Sequence, residues 1–214
     1  MKLYTYFRSS AAYRVRIALN LKGLDYESVP VHLLRDGGEQ RQAAYRGKNP
    51  LGLVPTLETG EIVLTQSLAI MEWLEETHPE PPLLPTTAAA RAQVRAIAQS
   101  IACDIHTLNN LRVLTYLSTT LGVSDEQKMQ WYRHWVQEGL EAVERLLSQR
   151  PSHGRFCYGD TPTLADCCLV PQVFNAIRFN CSLKTMPCIQ RIASVCEGHE
   201  AFVKAAPAQQ MDAE

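Results

Sequence analysis

A chain of 214 residues with 46% hydrophobic and 20% charged content has apolar material for one large or two small domains, which excludes disorder over most of its length. Its net charge of −1 excludes a general attraction to nucleic acid or anionic lipid and leaves a small molecule as the expected ligand. Seven cysteines, an odd count without a Cys-x-x-Cys and with Cys167 beside Cys168, argue against a disulfide framework and for a reducing, cytoplasmic compartment.

Lys2 to Phe7 alternates Leu3, Thr5 and Phe7 against Tyr4 and Tyr6, the period of a strand. Ala11, Val15, Ala18 and Lys22 then follow at helical spacing until Gly23 gives a stop. Ser9 and Ser10 fall at the start of that helix, where unpaired N–H groups and a partial positive charge suit either a capping hydroxyl or one turned toward a bound anion such as a thiolate. Arg8, Arg14 and Arg16 crowd the same segment and give it a local cationic character. Leu24 to Leu33 reads as a second strand, and Asp36-Gly37-Gly38 breaks it before a short helical piece from Glu39 to Arg46. After Asn49-Pro50, Gly52 and Pro55, two short strands at Thr56–Leu57 and Ile62–Leu64 turn at Thr59-Gly60 as a hairpin. A cis bond at Val54-Pro55 would turn the Val54 N–H and C=O toward a ligand backbone. Gln66-Ser67 opens a helix over Leu68–Thr77, with Ser67 as its N-cap and the helix start able to hold a carboxylate.

The proline-dense stretch His78 to Pro85 is a stiff extended connector, and the domain boundary falls there: residues 1–78, a linker at 79–86, and residues 87–214. Beyond it strand signals vanish. Val94, Ile97, Ala98, Ile101, Ile105 and Leu108 keep one apolar stripe, which predicts a single long helix with Cys103, His106 and Asn110 together on another face. Ser124 to Gln127 has the spacing of a capping box before a helix with Trp131 and Trp135 in the core, and Gly154 follows in a loop. Thr163 to Asp166 repeats that box before a helix expected to kink at Pro171. Pro187 starts a further helix, and the segment after Pro207 is expected to fray. No run approaches the length of a transmembrane helix, and the immediate strand-like start with Arg8 argues against a signal peptide.

The order of parts resembles the soluble glutathione transferases: an α/β thioredoxin-like N-terminal domain, a proline linker and an all-α C-terminal domain. Arg8-Ser9-Ser10, Arg14-Val15-Arg16-Ile17-Ala18-Leu19, Asn49-Pro50, Val54-Pro55-Thr56-Leu57, Gln66-Ser67-Leu68-Ala69-Ile70, Gly159-Asp160, Leu164-Ala165-Asp166 and Val170-Pro171-Gln172-Val173 are similar, in that order, to the zeta class. That class includes maleylacetoacetate and maleylpyruvate isomerases. The resemblance implies that Ser9 points its hydroxyl at the glutathione sulfur, with Ser10 the alternative, and that Val54 before a cis-proline pairs with the cysteinyl backbone. It further implies that Gln66 and Ser67 hold the γ-glutamyl end, that Gln40 adds a contact, and that His106 and Asn110 sit at the glutathione-facing edge, with proton transfer by His106 open. Arg8, Arg178 and, as a third cation, Arg112 are the implied clamps for a dicarboxylate substrate. A cytoplasmic homodimer is the expected form. The chain departs from the class at Ala11, where zeta enzymes often carry cysteine, so a protein thiol at that position is not part of the expected chemistry.

The implied reaction is cis-trans isomerisation of a maleyl keto acid by thiolate addition, rotation and elimination, with glutathione as the cofactor and no metal. A free thiol near pKa 8.5 is about 3% thiolate at pH 7, and lowering it by about two units asks for roughly 2.7 kcal/mol of anion stabilisation. A charged hydrogen bond from a serine contributes about 1.5–3 kcal/mol and a helix terminus about 0.3–1 kcal/mol, which suffices. Two other classes use the same frame: a general glutathione transferase or peroxidase, which needs no arginine pair, and a non-enzymatic interaction module, which needs no glutathione.

Overall fold

A computed structural model describes residues 1–149 and 154–214. It divides into two compact units, Met1–Leu83 with Glu197–Glu214, and Leu84–Cys196. The change falls inside the proline-rich stretch. Residues 197–214, expected to belong with the helical domain, group with the first unit instead.

The first unit follows the order β1 (Lys2–Thr5), α1 (Ser10–Leu21), β2 (Glu27–Pro30), a short α2 (Ala43–Arg46), β3 (Thr56–Glu58), β4 (Val63–Thr65) and α3 (Ser67–Thr77). Its sheet runs β2-β1-β3-β4, with β1 parallel to β2 and antiparallel to β3, and β3 antiparallel to β4. This is the thioredoxin-like arrangement. The βα crossover between β1 and β2 is the connection a parallel pair requires, and the turn at Thr59-Gly60 makes the hairpin. The second strand is shorter than the Leu24–Leu33 expected. Helix α1 buries both of its sides, Ala12 to Leu19 without interruption, because it packs against α3 and against a late helix α9 (Glu200–Ala205).

The expected cationic surface at Arg14 and Arg16 is therefore absent, since both arginines are buried. Arg16 donates to Ala205 O (3.0 Å), Thr5 Oγ1 (3.0 Å), Tyr6 O (3.4 Å) and Phe7 O (3.0 Å). Desolvation lowers its pKa to about 10, against the pull of Tyr26, Tyr13 and Asp212. Lys22 is likewise interior and clamps the linker, donating to Glu75, His78 O and Pro81 O. The peptide bonds Val54-Pro55 and Glu80-Pro81 are both cis.

The second unit comprises the helices α4 (Ala88–Gln99), α5 (Leu111–Thr119), α6 (Asp125–Ser148), α7 (Leu164–Arg178) and α8 (Pro187–Glu197), the last ending at the unit boundary. Its centre is α7, where Leu164, Ala165, Cys167, Cys168 and Leu169 are all buried. α7 continues on both sides of Pro171. Both capping boxes form. Ser124 accepts from Gln127 N while the Gln127 side chain accepts from Ser124 N, and the Asp166 carboxylate takes the Thr163 N–H, the Thr163 hydroxyl and the Cys157 N–H. Burial pushes the Asp166 carboxyl pKa up, against the pull of these bonds.

The single long helix expected across residues 94–108 does not form. α4 passes into a π-helical segment at Ser100–Ile105, with His106 N bonded to Ile101 O, and Asn110 caps a new helix through its side chain to Arg112 N (3.1 Å). Cys103, His106 and Asn110 consequently do not share one helical face. The break is stabilised from α6: a Cβ at Gly139 would strike the Ile105 side chain, so glycine permits the approach, while Trp131 Nε1 donates to Leu108 O and Asn109 Nδ2 to Tyr132 O. Trp131 and Trp135 are only half-buried; Tyr132 and Val136 fill the core instead. Nor is the segment after Pro207 loose, since Asp212 accepts the Phe7 N–H and Glu214 pairs with His32 and Arg35. Among the described residues no helix is long and apolar enough to cross a membrane.

Candidate functional site

The register of the sheet gathers one end of it into a site. Tyr4 opposes Thr56, and Thr56 opposes Thr65. The residues just after β1 (Phe7 to Ser10), just before β3 (Val54-Pro55) and just after β4 (Gln66-Ser67) therefore emerge at the same edge. Thr5 lies opposite Pro30 in the parallel pair, so the segment from Val31 toward Gln40 leaves from that edge too. Tyr6, Phe7, Val31, Tyr45 and Val54 form a common apolar cluster beneath it.

Ser9 is the N-cap of α1, with extended backbone and its Oγ accepting the Ala12 N–H at 3.2 Å. Its hydroxyl hydrogen is not consumed by that bond, because a hydroxyl has two lone pairs and one donor. Ser10 is the first helical residue and is buried. Arg8 stacks its guanidinium 4.6 Å from the Phe7 ring centroid and takes no hydrogen bond or ion pair among the described residues. Val54 is buried, yet neither its N–H nor its C=O finds a partner among the described residues. The residue before it is locked: Leu53 O accepts from Tyr45 Oη (2.7 Å) and Asn49 Nδ2 (2.7 Å). Burial raises the Tyr45 pKa, opposed by its bonds to Thr56 and Asn49, and keeps it a donor.

Ser67 is not the N-cap it was expected to be. Gln66 holds that position with φ of 69°, and α3 begins at Ser67 itself. The Ser67 hydroxyl instead accepts from Arg14 Nη1 at 3.2 Å, so the positive end of α3 is backed by a buried guanidinium. Arg14, one of the cations that give this segment its local positive character in the sequence, is thus interior. The signal that would have placed it inside is the unbroken apolar company of Tyr13, Val15, Ile17, Ala18 and Leu19. Gln40 is buried, donating to Leu33 O at 3.2 Å while its Oε1 has no partner among the described residues. An open peptide next to an N-cap hydroxyl, with a cation-backed helix start, fits the thiol, the backbone and the carboxylate of a small peptide.

The remaining expected residues belong to the second unit. His106 lies half-buried in the turn after the π segment, Asn110 caps α5, Arg112 is exposed in the first turn of α5, and Arg178 is exposed at the end of α7, stacked 4.9 Å from the Phe179 ring. All seven cysteines are free, Cys103 exposed and Cys157, Cys167, Cys168 and Cys196 buried.

Residues 3–82 match the glutathione S-transferase N-terminal domain and residues 129–181 its C-terminal domain. The chain belongs to the glutathione S-transferase family, in its zeta class of maleylacetoacetate and maleylpyruvate isomerases. It is 53% identical to a probable maleylacetoacetate isomerase of Vibrio cholerae over 99% of this chain and 97% of that one. A holo structure of maleyl pyruvate isomerase, described as a bacterial zeta-class glutathione-S-transferase, superposes over all of both chains with a TM-score of 0.97 at 48% identity. The maleylacetoacetate isomerase of Methylobacterium extorquens, solved with bound malonate and glutathione, covers all of both chains with a TM-score of 0.96 at 40% identity.

Proposed function

We propose that this protein is a glutathione-dependent cis-trans isomerase of a maleyl keto acid, converting maleylpyruvate to fumarylpyruvate or maleylacetoacetate to fumarylacetoacetate in aromatic compound catabolism. The observation that carries it is an N-cap serine with a spare donor at the same sheet edge as the open Val54 peptide, in a chain alike to these isomerases along its full length. Glutathione, when bound, supplies the thiol whose reversible addition to the cis double bond frees that bond to rotate. Ser9 donates its hydroxyl hydrogen to the sulfur and α1 adds its positive end, with Ser10 as the neighbouring hydroxyl. Val54 pairs with the cysteinyl backbone, Ser67 with Arg14 behind it and Gln66 beside it hold the γ-glutamyl carboxylate, and Gln40 adds a contact. His106 and Asn110 complete the glutathione contacts, and Arg8, Arg112 and Arg178 clamp the carboxylates of the substrate. The enzyme works in the cytoplasm as a homodimer; the exposed apolar side chains of Leu51, Ile62 and Val63 on the first unit support that assembly.

The test is a spectrophotometric isomerase assay with both acids. Turnover is expected only with glutathione, and Ser9→Ala is expected to lower kcat by about a hundredfold while shifting glutathione affinity only a few-fold. One methylene distinguishes the two acids, worth about 1–3 kcal/mol in a fitted pocket. Maleylpyruvate is expected to have the higher kcat/KM, with Arg112→Ala narrowing the gap. Turnover without glutathione would overturn the proposal.

A further inference from the structure

The loop that carries Ser9 is held from behind by two charged side chains, Arg16 on the helix it leads into and Asp212 far from it in sequence. Arg16 takes the carbonyls of Tyr6 and Phe7. Asp212 Oδ2 takes the Phe7 N–H at 3.0 Å, from 205 residues away. Both backbone polar groups of Phe7 are thus fixed by side chains, and the Ser9 N–H returns to Tyr6 O at 2.9 Å. Ser9 therefore leaves the loop in a direction set by the residues on either side of Phe7. Asp212 is itself placed on both sides. Before it, Gln210 Nε2 donates to Lys204 O (2.9 Å) and Ala206 O (3.0 Å). After it, Glu214 meets His32 Nε2 at 3.1 Å and Arg35 at 3.5 Å, while His32 Nδ1 accepts the Leu34 and Arg35 N–H groups and so leaves the ring hydrogen on Nε2.

We propose that Asp212 is a positioning residue for the Ser9 hydroxyl: by fixing the Phe7 N–H it sets the loop from which Ser9 reaches the thiolate. This rests on the reading of Ser9 as the donor to glutathione. A residue that positions the donor and a residue that merely adds negative charge have opposite effects when changed. Deleting a positioning acceptor weakens the Ser9 bond and raises the thiol pKa; deleting a carboxylate charge near the thiolate lowers it.

The experiment titrates the thiolate absorbance of bound glutathione against pH in the wild type, Asp212→Ala, Asp212→Asn and Ser9→Ala. Asp212→Asn keeps an acceptor for the Phe7 N–H and loses the charge. On this proposal Asp212→Ala raises the thiol pKa by about one unit, cutting the thiolate near pH 7 by up to roughly tenfold, while Asp212→Asn keeps the wild-type value. In the ligand-free protein, amide exchange at Phe7 and Ser9 is expected to accelerate by about tenfold in Asp212→Ala, with the interior of α1 unchanged. A pKa that stays put or falls in Asp212→Ala, when Ser9→Ala raises it, overturns this proposal and leaves the reading of Ser9 intact. A pKa unmoved by Ser9→Ala overturns both. Should the alanine variant lose its fold, Asp212→Ser, whose shorter side chain cannot reach the Phe7 N–H, takes its place: a raised pKa supports positioning, and an unchanged or lowered one overturns it.

Discussion

Lys22 is expected to be among the most costly single substitutions in the first unit, and the cost can be worked from its partners. Its ammonium lies 2.9 Å from Glu75 Oε2, 2.6 Å from His78 O and 3.0 Å from Pro81 O, with the Lys22 side chain 0% and the Glu75 side chain 6% exposed. Three N–H donors thus meet three acceptors. In Lys22→Met the two carbonyls lie in a segment that water can reach, so most of the loss falls on the Glu75 carboxylate, which keeps the Leu83 N–H at 2.8 Å. Removing one partner of a buried pair costs about 3–5 kcal/mol, and the retained Leu83 bond places this case at roughly 3–4 kcal/mol. For a chain of this length that is about 6–16 °C in melting temperature. Urea titration followed by Trp73, which sits two residues before Glu75 on α3, measures it directly. Glu75→Leu on top of Lys22→Met should recover part of the loss, with a coupling of at least about 1.5 kcal/mol. A single-variant loss below about 1 kcal/mol, or strictly additive costs, refutes the account.

Gly139→Ala should destabilise by about 1–3 kcal/mol, less up to about 1 kcal/mol of regained helix propensity, because its Cβ meets Ile105; a melting scan checks it, and Ile105→Ala in the same chain, which removes the Cγ1 and Cδ1 that the new Cβ would meet, should make the two costs less than additive. Alkylation near pH 7.5, followed by mass spectrometry, should modify exposed Cys103 first, at least about tenfold ahead of Cys167. Burial holds the Cys167 thiol well above its ordinary pKa and starves it of thiolate, so early labelling at Cys167 contradicts the packing of α7.

The features legible in the sequence are those whose partners are close along it. Ser124 with Gln127 and Thr163 with Asp166 each close a ring over three residues, so spacing alone predicts them. The hairpin at Thr59-Gly60 and the helix start at Ser9 are equally local. The failures are those decided across the fold. The apolar stripe from Val94 to Leu108 runs through the break, yet the helix does not: Gly139 on α6 makes room for Ile105 at the end of the π segment, and in the turn that follows Trp131 Nε1 donates to Leu108 O while Tyr132 O accepts from Asn109 Nδ2. Arg14 and Arg16 count as surface cations in any tally of charge, and become interior only because α3 and α9 close over α1. Of the site residues, Ser9 and Val54 could be singled out by chain-local geometry, whereas the Arg14 support behind Ser67 required the register of the sheet.

Ser9 shows why a residue read as a plain helix cap and one read as a thiolate donor need not compete. The cap uses an oxygen lone pair, from the Ala12 N–H at 3.2 Å, and leaves the hydroxyl hydrogen to be directed outward. The bond from Ala12 also polarises that hydroxyl, which strengthens what it donates. Aspartate or asparagine would cap as well but would offer a carboxylate or an amide in place of the hydroxyl, the former repelling the thiolate. Threonine would add a methyl at the crowded start of α1, beside buried Ser10 and Ala12. Stability and the thiol chemistry therefore draw on different atoms of one side chain, and the loop that orients it can be held as firmly as Arg16 and Asp212 hold it without any loss of capping.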